Sequence, residues 1–202
     1  MGRIILEKNK VSPHFIGSWI ISPLTICDEL IGFFESDIKN QKKGTVTGGT
    51  NLNVKDSTDM KIRPKDIYSP GNEIFQMYFE NLYLCYKDYV SEWPFLASFT
   101  NSLQVSSFTI QKYQSGQHYQ KLHTERSNLE TLHRVFAWMT YLNDVEEKIG
   151  GTTFFSHYDL SIQPRKGLTL IWPAEWTHAH QGNVLRANSK YIITGWMTFP
   201  RI

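Results

Sequence analysis

His133-Arg134-Val135-Phe136-Ala137-Trp138-Met139-Thr140-Tyr141-Leu142 is apolar at nearly every position, the pattern of a β-strand buried on both faces. Shorter extended pieces surround it. Val105 to Tyr113 alternates with period two, and Thr152 to Phe155, Leu160 to Gln163, Leu168 to Trp172 and Lys190 to Phe199 are further strand candidates. The connection from Asn143-Asp144 to Gly150-Gly151 is rich in turn formers. Many short strands at close spacing, with Gly and Pro between them, predict a sandwich or barrel.

The front half is different. Residues 1 to 21 are extended with apolar patches at Ile4, Ile5 and Leu6 and at Phe15, Ile16, Trp19 and Ile20. Ser22-Pro23 reads as an N-cap followed by proline at the first helical position, where a missing N–H is harmless. Leu24, Cys27, Leu30, Ile31, Phe34 and Ile38 then follow at helical spacing, predicting a helix to about Lys39. Gln41 to Thr58 is Gly-, Thr-, Asn- and Lys-rich without a period and reads as a loop or flap. A second helix is expected from about Gly71-Asn72 to Pro94, with Phe75, Tyr78, Leu82, Cys85, Tyr86, Tyr89 and Trp93 as a core-facing stripe. The expected class is mainly β with flanking α-helices in one domain spanning 1–202. Residues 1–100 form a helical buttress with N-terminal strands, and 101–202 form the core.

Composition narrows the functional classes. With 21 basic residues against 19 acidic ones, no strong charge points to nucleic acid or a membrane surface. Two cysteines, Cys27 and Cys85, are too few for a disulfide scaffold or a thiolate zinc site. The first residues lack the apolar run of a secretory signal, and no run approaches a membrane span. A cytoplasmic, reducing setting is therefore expected.

The chemistry-bearing residues cluster late in the chain. In a strand, His123 and Glu125 share a face while Thr124 points away. A third ligand from a distant strand, His178 or His180, completes two imidazoles and one carboxylate, the set that binds one face of an Fe(II) ion and leaves sites open. His-x-Glu alone is a weak signal and is more often a solvated polar strand face; the second histidine cluster reverses that balance. On Lys190-Tyr191-Ile192-Ile193-Thr194-Gly195-Trp196, period two puts Lys190, Ile192, Thr194 and Trp196 on one face of a common cavity. A lysine facing an apolar interior is costly unless an anion meets it. The far carboxylate of 2-oxoglutarate, chelating the metal through its keto-acid end, is such an anion.

These segments together resemble the iron- and 2-oxoglutarate-dependent dioxygenases of the prolyl 4-hydroxylase type. The family pattern, like His-x-Gly-x-x-Val-x-x-Gly-x-Lys, is similar to His180-Gln181-Gly182-Asn183-Val184-Leu185-Arg186-Ala187-Asn188-Ser189-Lys190, with Asn188 where the later glycine stands. This spacing selects His180 as the ligand and leaves His178 as a near-site or substrate-contacting residue. Upstream, Tyr113-Gln114-Ser115-Gly116-Gln117-His118-Tyr119 resembles the Tyr-x-x-Gly-x-x-Tyr run before the first metal histidine. Arg134 to Asp144 resembles the arginine-to-Tyr-Leu-Asn strand, and Gly150-Gly151-Thr152-Thr153-Phe154-Phe155 the Gly-Gly-x-Thr-x-Phe turn. Glu125 stands where the family most often has aspartate, as in phage and cyanobacterial sequences with a His-x-Glu pattern. Three residues separate Tyr119 from His123 where the family has two, which predicts a bulge.

The resemblance implies a double-stranded β-helix (jelly roll, cupin-like). It also implies Fe(II) held by His123, Glu125 and His180, with 2-oxoglutarate as co-substrate and ascorbate as an auxiliary reductant. Tyr113, Tyr141, Lys190 and Thr194 are the expected co-substrate contacts, with Tyr141 donating to the far carboxylate. Arg134, Trp138, His178 and Trp196 are expected on the substrate side or behind the ligands, while His118, His133 and His157 read as structural or exposed. The implied activity is hydroxylation of an unactivated carbon, with O2 consumed and succinate and CO2 released. Peptidyl proline leads as substrate, followed by a free amino acid or other small molecule. Nucleic-acid demethylation ranks lower, since no basic aromatic surface stands out. The Gln41 to Thr58 loop reads as a substrate lid or a plain surface loop. A non-catalytic cupin-like binding protein is the alternative from another class; Glu125 supports it, and Lys190 with Tyr141 opposes it.

Overall fold

The computed structural model describes residues 13–46, 48–100 and 102–200. The apolar patch at Ile4, Ile5 and Leu6 lies outside them. The strands are β1 (Gly17–Ile20), β2 (Gln41–Lys43), β3 (Thr58–Ile62), β4 (Gln104–Val105), β5 (Phe108–Gln114), β6 (Tyr119–His123), β7 (Arg134–Tyr141), β8 (Thr153–Phe155), β9 (Leu160–Ile162), β10 (Leu168–Pro173), β11 (His180–Gly182) and β12 (Ser189–Thr198). Two α-helices, α1 (Thr25–Ser36) and α2 (Glu73–Glu92), precede most of them. The large sheet runs β1-β10-β7-β12-β5-β3-β2 with β4 on β12, and the small sheet runs β6-β11-β8-β9. All pairings are antiparallel, and the architecture is the double-stranded β-helix.

The large sheet has an apolar core on each face, which is why β7 shows no alternation in its sequence. On one face Phe108, Phe136, Trp138 and Ile193 pack against Phe34 of α1 and Phe75, Tyr78 and Leu82 of α2. Here Tyr78 hydrogen-bonds Thr140 at 2.8 Å, satisfying two hydroxyls that burial strips of water. On the other face Tyr113, Ala137, Met139 and Ile192 meet Phe155 of the small sheet. Gly195 makes the first core possible: a Cβ there would lie 2.6 Å from Trp138 Cζ2 and 2.9 Å from Phe108 Cβ.

Several expectations need correction. Ser22 does not cap α1: Leu24 occupies the N-cap position without a side-chain bond, and the helix ends at Ser36. It stops where Asp37 leaves helical dihedrals (φ −113°, ψ 65°), Gln41 Nε2 then satisfies the Phe34 carbonyl at 2.7 Å, and Ile38 is 73% exposed, so it belongs to no core stripe. The 41–58 segment is not wholly a loop, since β2 pairs with β3 at the sheet edge. Val105 to Tyr113 is two strands, β4 pairing with Met197 and Thr198 while β5 pairs further back along β12. In the front half, expected to carry N-terminal strands, β1 falls in the stretch read as extended, and β1, β2 and β3 join the same large sheet as the core. Their apolar positions are too few to show a period.

Candidate active site

β6 and β11 are neighbours in the small sheet, and His123 faces His180 directly across the pair. Tyr119 pairs with Gly182, so five residues of β6 lie opposite three of β11, and the expected bulge is present. Each histidine is oriented in the same way. His123 Nδ1 lies 2.8 Å from the Lys121 carbonyl, and His180 Nδ1 lies 2.9 Å from the His178 carbonyl. A carbonyl only accepts, so both Nδ1 atoms carry a proton, and Nε2 of each ring is the atom turned to another partner.

That partner region is shared with Glu125. Its Oε1 lies 3.3 Å from His180 Nε2 and 3.9 Å from His123 Nε2. The three side chains bring their ligand atoms within 4.8 Å of one another. Glu125 does not lie on a strand with His123, as the period-two reading expected, because β6 ends at His123. It reaches in from the following turn, for which the longer glutamate side chain is suited. The turn is tied down by Thr124 Oγ1 donating to Ala174 O at 2.9 Å and by Arg134 Nη1 donating to Glu125 O at 2.8 Å. Trp196 Nε1 donates to Glu125 Oε2 at 2.7 Å, so one carboxylate oxygen is held from behind while the other faces the histidines.

The electrostatics follow from this packing. Burial, with the facing His180, lowers His123 to about 4, which keeps the ring neutral and a competent donor. Burial alone would raise Glu125, but the hydrogen bond and charge of His180, then His123 and Trp196, outweigh it and bring the carboxyl to about 2. One carboxylate and two imidazoles whose Nε2 atoms turn to one side are a donor set that fits a divalent transition metal.

These residues form one wall of a cavity of about 280 Å³. β12 contributes Lys190, Ile192, Thr194 and Trp196, all on the face that period two predicts. Lys190 is 3% exposed; its Nζ donates to Gly151 O at 2.8 Å and sits 4.6 Å from the Tyr113 ring centroid. Among the described residues no carboxylate lies within ion-pair distance of it, and burial lowers it to about 8. A buried ammonium without a counter-charge, at the side of a metal-ligand set, is the fit expected for the far carboxylate of a bound dicarboxylate.

Tyr113 lines the cavity and donates its hydroxyl to Gln111 Oε1 at 2.7 Å, while Thr194 lines it with Oγ1 donating to Trp138 O. Arg134 also lines it, its guanidinium 3.7 Å above the Trp196 ring. A bulge opposite Thr198 turns Arg134 to the cavity face, against the parity of the rest of β7. Three expected residues lie elsewhere. Trp138 is buried on the helix side of the sheet, because its parity on β7 opposes that of Met139. His178 is turned away, its Nε2 at 2.8 Å from His14 O, and meets the site through its carbonyl, which holds His180. Tyr141 sits behind the wall and donates to Thr153 Oγ1 at 2.6 Å; Thr153 is the residue that lines the cavity.

Other wall residues escaped the sequence reading. Gln111 and Thr109 share the parity of Tyr113 on β5, a signal that period two carried. Tyr119, which the sequence placed in the run before His123 without a settled role, stacks on His123 with ring centroids 3.9 Å apart. Thr45, Val46 and Lys55 come from the loop between β2 and β3, where no periodicity could have placed them.

Residues 108–198 match the sequence profile of the 2OG-Fe(II) oxygenase superfamily. A comparison with curated proteins found no match. Among solved structures, a prolyl-4-hydroxylase from Pseudomonas putida is similar at TM-score 0.69 and 15% identity, covering 93% of this chain and 94% of that one. A prolyl hydroxylase from Trichoplax adhaerens, solved with a hypoxia inducible factor oxygen degradation domain peptide fragment, gives TM-score 0.67 and 16% identity over 90% and 83% of the two chains. A viral collagen prolyl hydroxylase from Paramecium Bursaria Chlorella virus-1, solved as its 2OG complex, gives 0.62 and 17% over 92% and 97%. The profile match spans His123, Glu125, His180 and Lys190, so the segment that carries the candidate site is similar to the 2OG-Fe(II) oxygenase superfamily, and the chain has the fold of the prolyl hydroxylase structures.

Proposed function

We propose that this dioxygenase hydroxylates an unactivated carbon of a peptidyl proline, converting 2-oxoglutarate and O2 to succinate and CO2 as one oxygen atom enters the substrate. The observation that carries the reading is the pairing, in one cavity, of the His123–Glu125–His180 set with the buried Lys190, which has no carboxylate partner among the described residues. Proline as substrate is supported by the prolyl hydroxylase fold, one relative of which was solved with a peptide fragment.

Fe(II) with 2-oxoglutarate supplies the oxidising power for C–H hydroxylation in this superfamily. The chain's own residues provide the rest. His123, Glu125 and His180 would hold the metal on one side only, leaving the cavity side open. Lys190, with Tyr113 beneath it, would fix the far carboxylate and so orient the keto-acid end toward the ligand set. Ile192, Met139 and Trp172 keep the walls apolar and limit water near the reacting centre. Arg134 and Trp196 border the side from which substrate would approach.

The test begins with anaerobic addition of Fe(II) and 2-oxoglutarate. A visible charge-transfer band that disappears in Lys190→Ala and in His180→Ala would support the site, and no band in folded, metal-loaded protein would sink the reading. Succinate release is then compared with proline peptides and with free amino acids. Thr45, Val46 and Lys55 of the loop between β2 and β3 also line the cavity, which favours a small substrate as the second reading, and stimulation by free amino acids alone would select it. Omitting ascorbate from the same assay tests its role as an auxiliary reductant.

A further inference from the structure

A second buried charge lies on the rim of this cavity, apart from the ligands and Lys190. Lys55, from the loop between β2 and β3, is 4% exposed, and its Nζ lies 2.5 Å from Asp59 Oδ2 at the start of β3. The other Asp59 oxygen accepts from Ser57 Oγ at 2.7 Å, and Ser57 is itself fully buried. The backbone closes around the pair. Gly44 N donates to Ser57 O at 2.9 Å, and Asp56 and His118 exchange N–H bonds at 2.8 and 3.1 Å. A Cβ on Gly44 would meet Ser57 Oγ at 2.2 Å and Lys55 Cε at 3.1 Å, so the loop is packed onto the pair.

Desolvating two charges is costly, and a buried ion pair is weak evidence of a stabilising role. This one has a further contact. Lys55 Nζ lies 5.6 Å from the Tyr119 ring centroid, within cation–π range. Tyr119 is stacked on the His123 imidazole at 3.9 Å with only 13° between the planes. Asp59, Lys55, Tyr119 and His123 thus form a continuous series from the loop to a metal ligand.

We infer that Lys55 is a positioning residue for the metal site: fixed by Asp59, it holds the Tyr119 ring against His123 and couples the 44–57 loop to that ligand. The inference rests on the reading of His123, Glu125 and His180 as metal ligands. Lys55 touches no reacting atom in this scheme and acts through Tyr119.

Co(II) titration of the full chain tests it, because ligand-field bands report the geometry at the histidines without any turnover. Lys55→Met is expected to weaken Co(II) binding several-fold and to shift the bands, with Lys55→Arg retaining most of the wild-type behaviour. In a Tyr119→Leu background, Lys55→Met should have no additional effect, because the two act as one unit. Should Lys55→Met fail to fold, Asp59→Asn provides the same cycle. Unchanged affinity and bands in Lys55→Met, or the same several-fold loss with and without the Tyr119 ring, would overturn the inference. Wild-type protein that takes up no Co(II) would overturn the metal reading itself, a distinct result from lost coupling in a protein that binds the ion.

Discussion

His123 and His180 are direct cross-strand partners, and each donates Nδ1–H to the backbone carbonyl two residues before it, at 2.8 and 2.9 Å. The strand pairing therefore sets the separation of the two imidazoles, and each one's own preceding backbone carbonyl fixes which nitrogen carries the proton. The carboxylate has no such backbone device, and Trp196 Nε1 serves instead. Trp196→Phe removes that donor while keeping an aromatic ring in the wall. Partners behind a metal ligand are commonly worth about 10–100-fold in metal affinity or activity, and a loss in that range is expected in an Fe(II) or Co(II) titration. Wild-type affinity in a folded variant would show that Glu125 needs no such support.

Glu125→Asp tests the reach of the carboxylate. Because the residue sits in the turn after β6 and not on the strand, a side chain shorter by one methylene should draw Oε1 away from the two Nε2 atoms. Metal affinity is expected to fall at least as far as in Trp196→Phe. Equal or tighter binding would mean that the turn moves freely enough to follow the ligand.

Lys190 links the cavity to pH. Burial lowers its folded-state value to about 8 from an ordinary 10.5. Below the folded value both states hold the proton, so the cost of burying the charge is fully present. As pH rises from about 8 to about 10.5 the unfolded chain binds more protons, and stability gains up to roughly 3 kcal/mol. Metal-free wild type should therefore show a rising denaturation midpoint across that window relative to Lys190→Met. Parallel pH profiles for the two proteins would contradict the uncompensated charge. A bound dicarboxylate should flatten the slope by supplying the missing partner.

Gly195→Ala places a methyl group 2.6 Å from Trp138 and 2.9 Å from Phe108, where the neighbours are rings and backbone-proximal carbon. Overpacking of this kind costs about 1–3 kcal/mol. For a chain of this size that corresponds to a fall of several degrees in Tm, at about 2–4 °C per kcal/mol. An unchanged Tm would show that the aromatic cluster between sheet and helices yields easily.

Asn188 occupies the position where the prolyl hydroxylase pattern has glycine, and its φ is 63°, in the left-handed region. Asparagine is the side-chain-bearing residue that tolerates this conformation most readily. Asn188→Gly should leave stability nearly unchanged, whereas Asn188→Val should lose about 1–2 kcal/mol by thermal or urea unfolding. Equal loss in both variants would assign the residue's role to its side chain and not its backbone.

Local patterns were enough to read much of this protein. The period-two run from Lys190 to Trp196 already placed Lys190, Ile192, Thr194 and Trp196 on one wall, because strand side chains alternate whatever the strand packs against. The apolar stripe of α2 was equally legible, since helical spacing survives in any fold that buries one side. What the sequence left open was direction. β7 is apolar on both faces, so nothing in its residues told Trp138, which faces the helices, from Met139, which faces the cavity. Arg134 reaches the cavity only because a bulge reverses the local alternation. Glu125 and Lys55 come from a turn and a loop, where side-chain direction is set by distant partners, Trp196 in one case and Asp59 in the other. Alternation and helical spacing are properties of the chain itself, whereas the choice of face and the convergence of loops depend on which strands lie side by side, and that is decided only when both cores close.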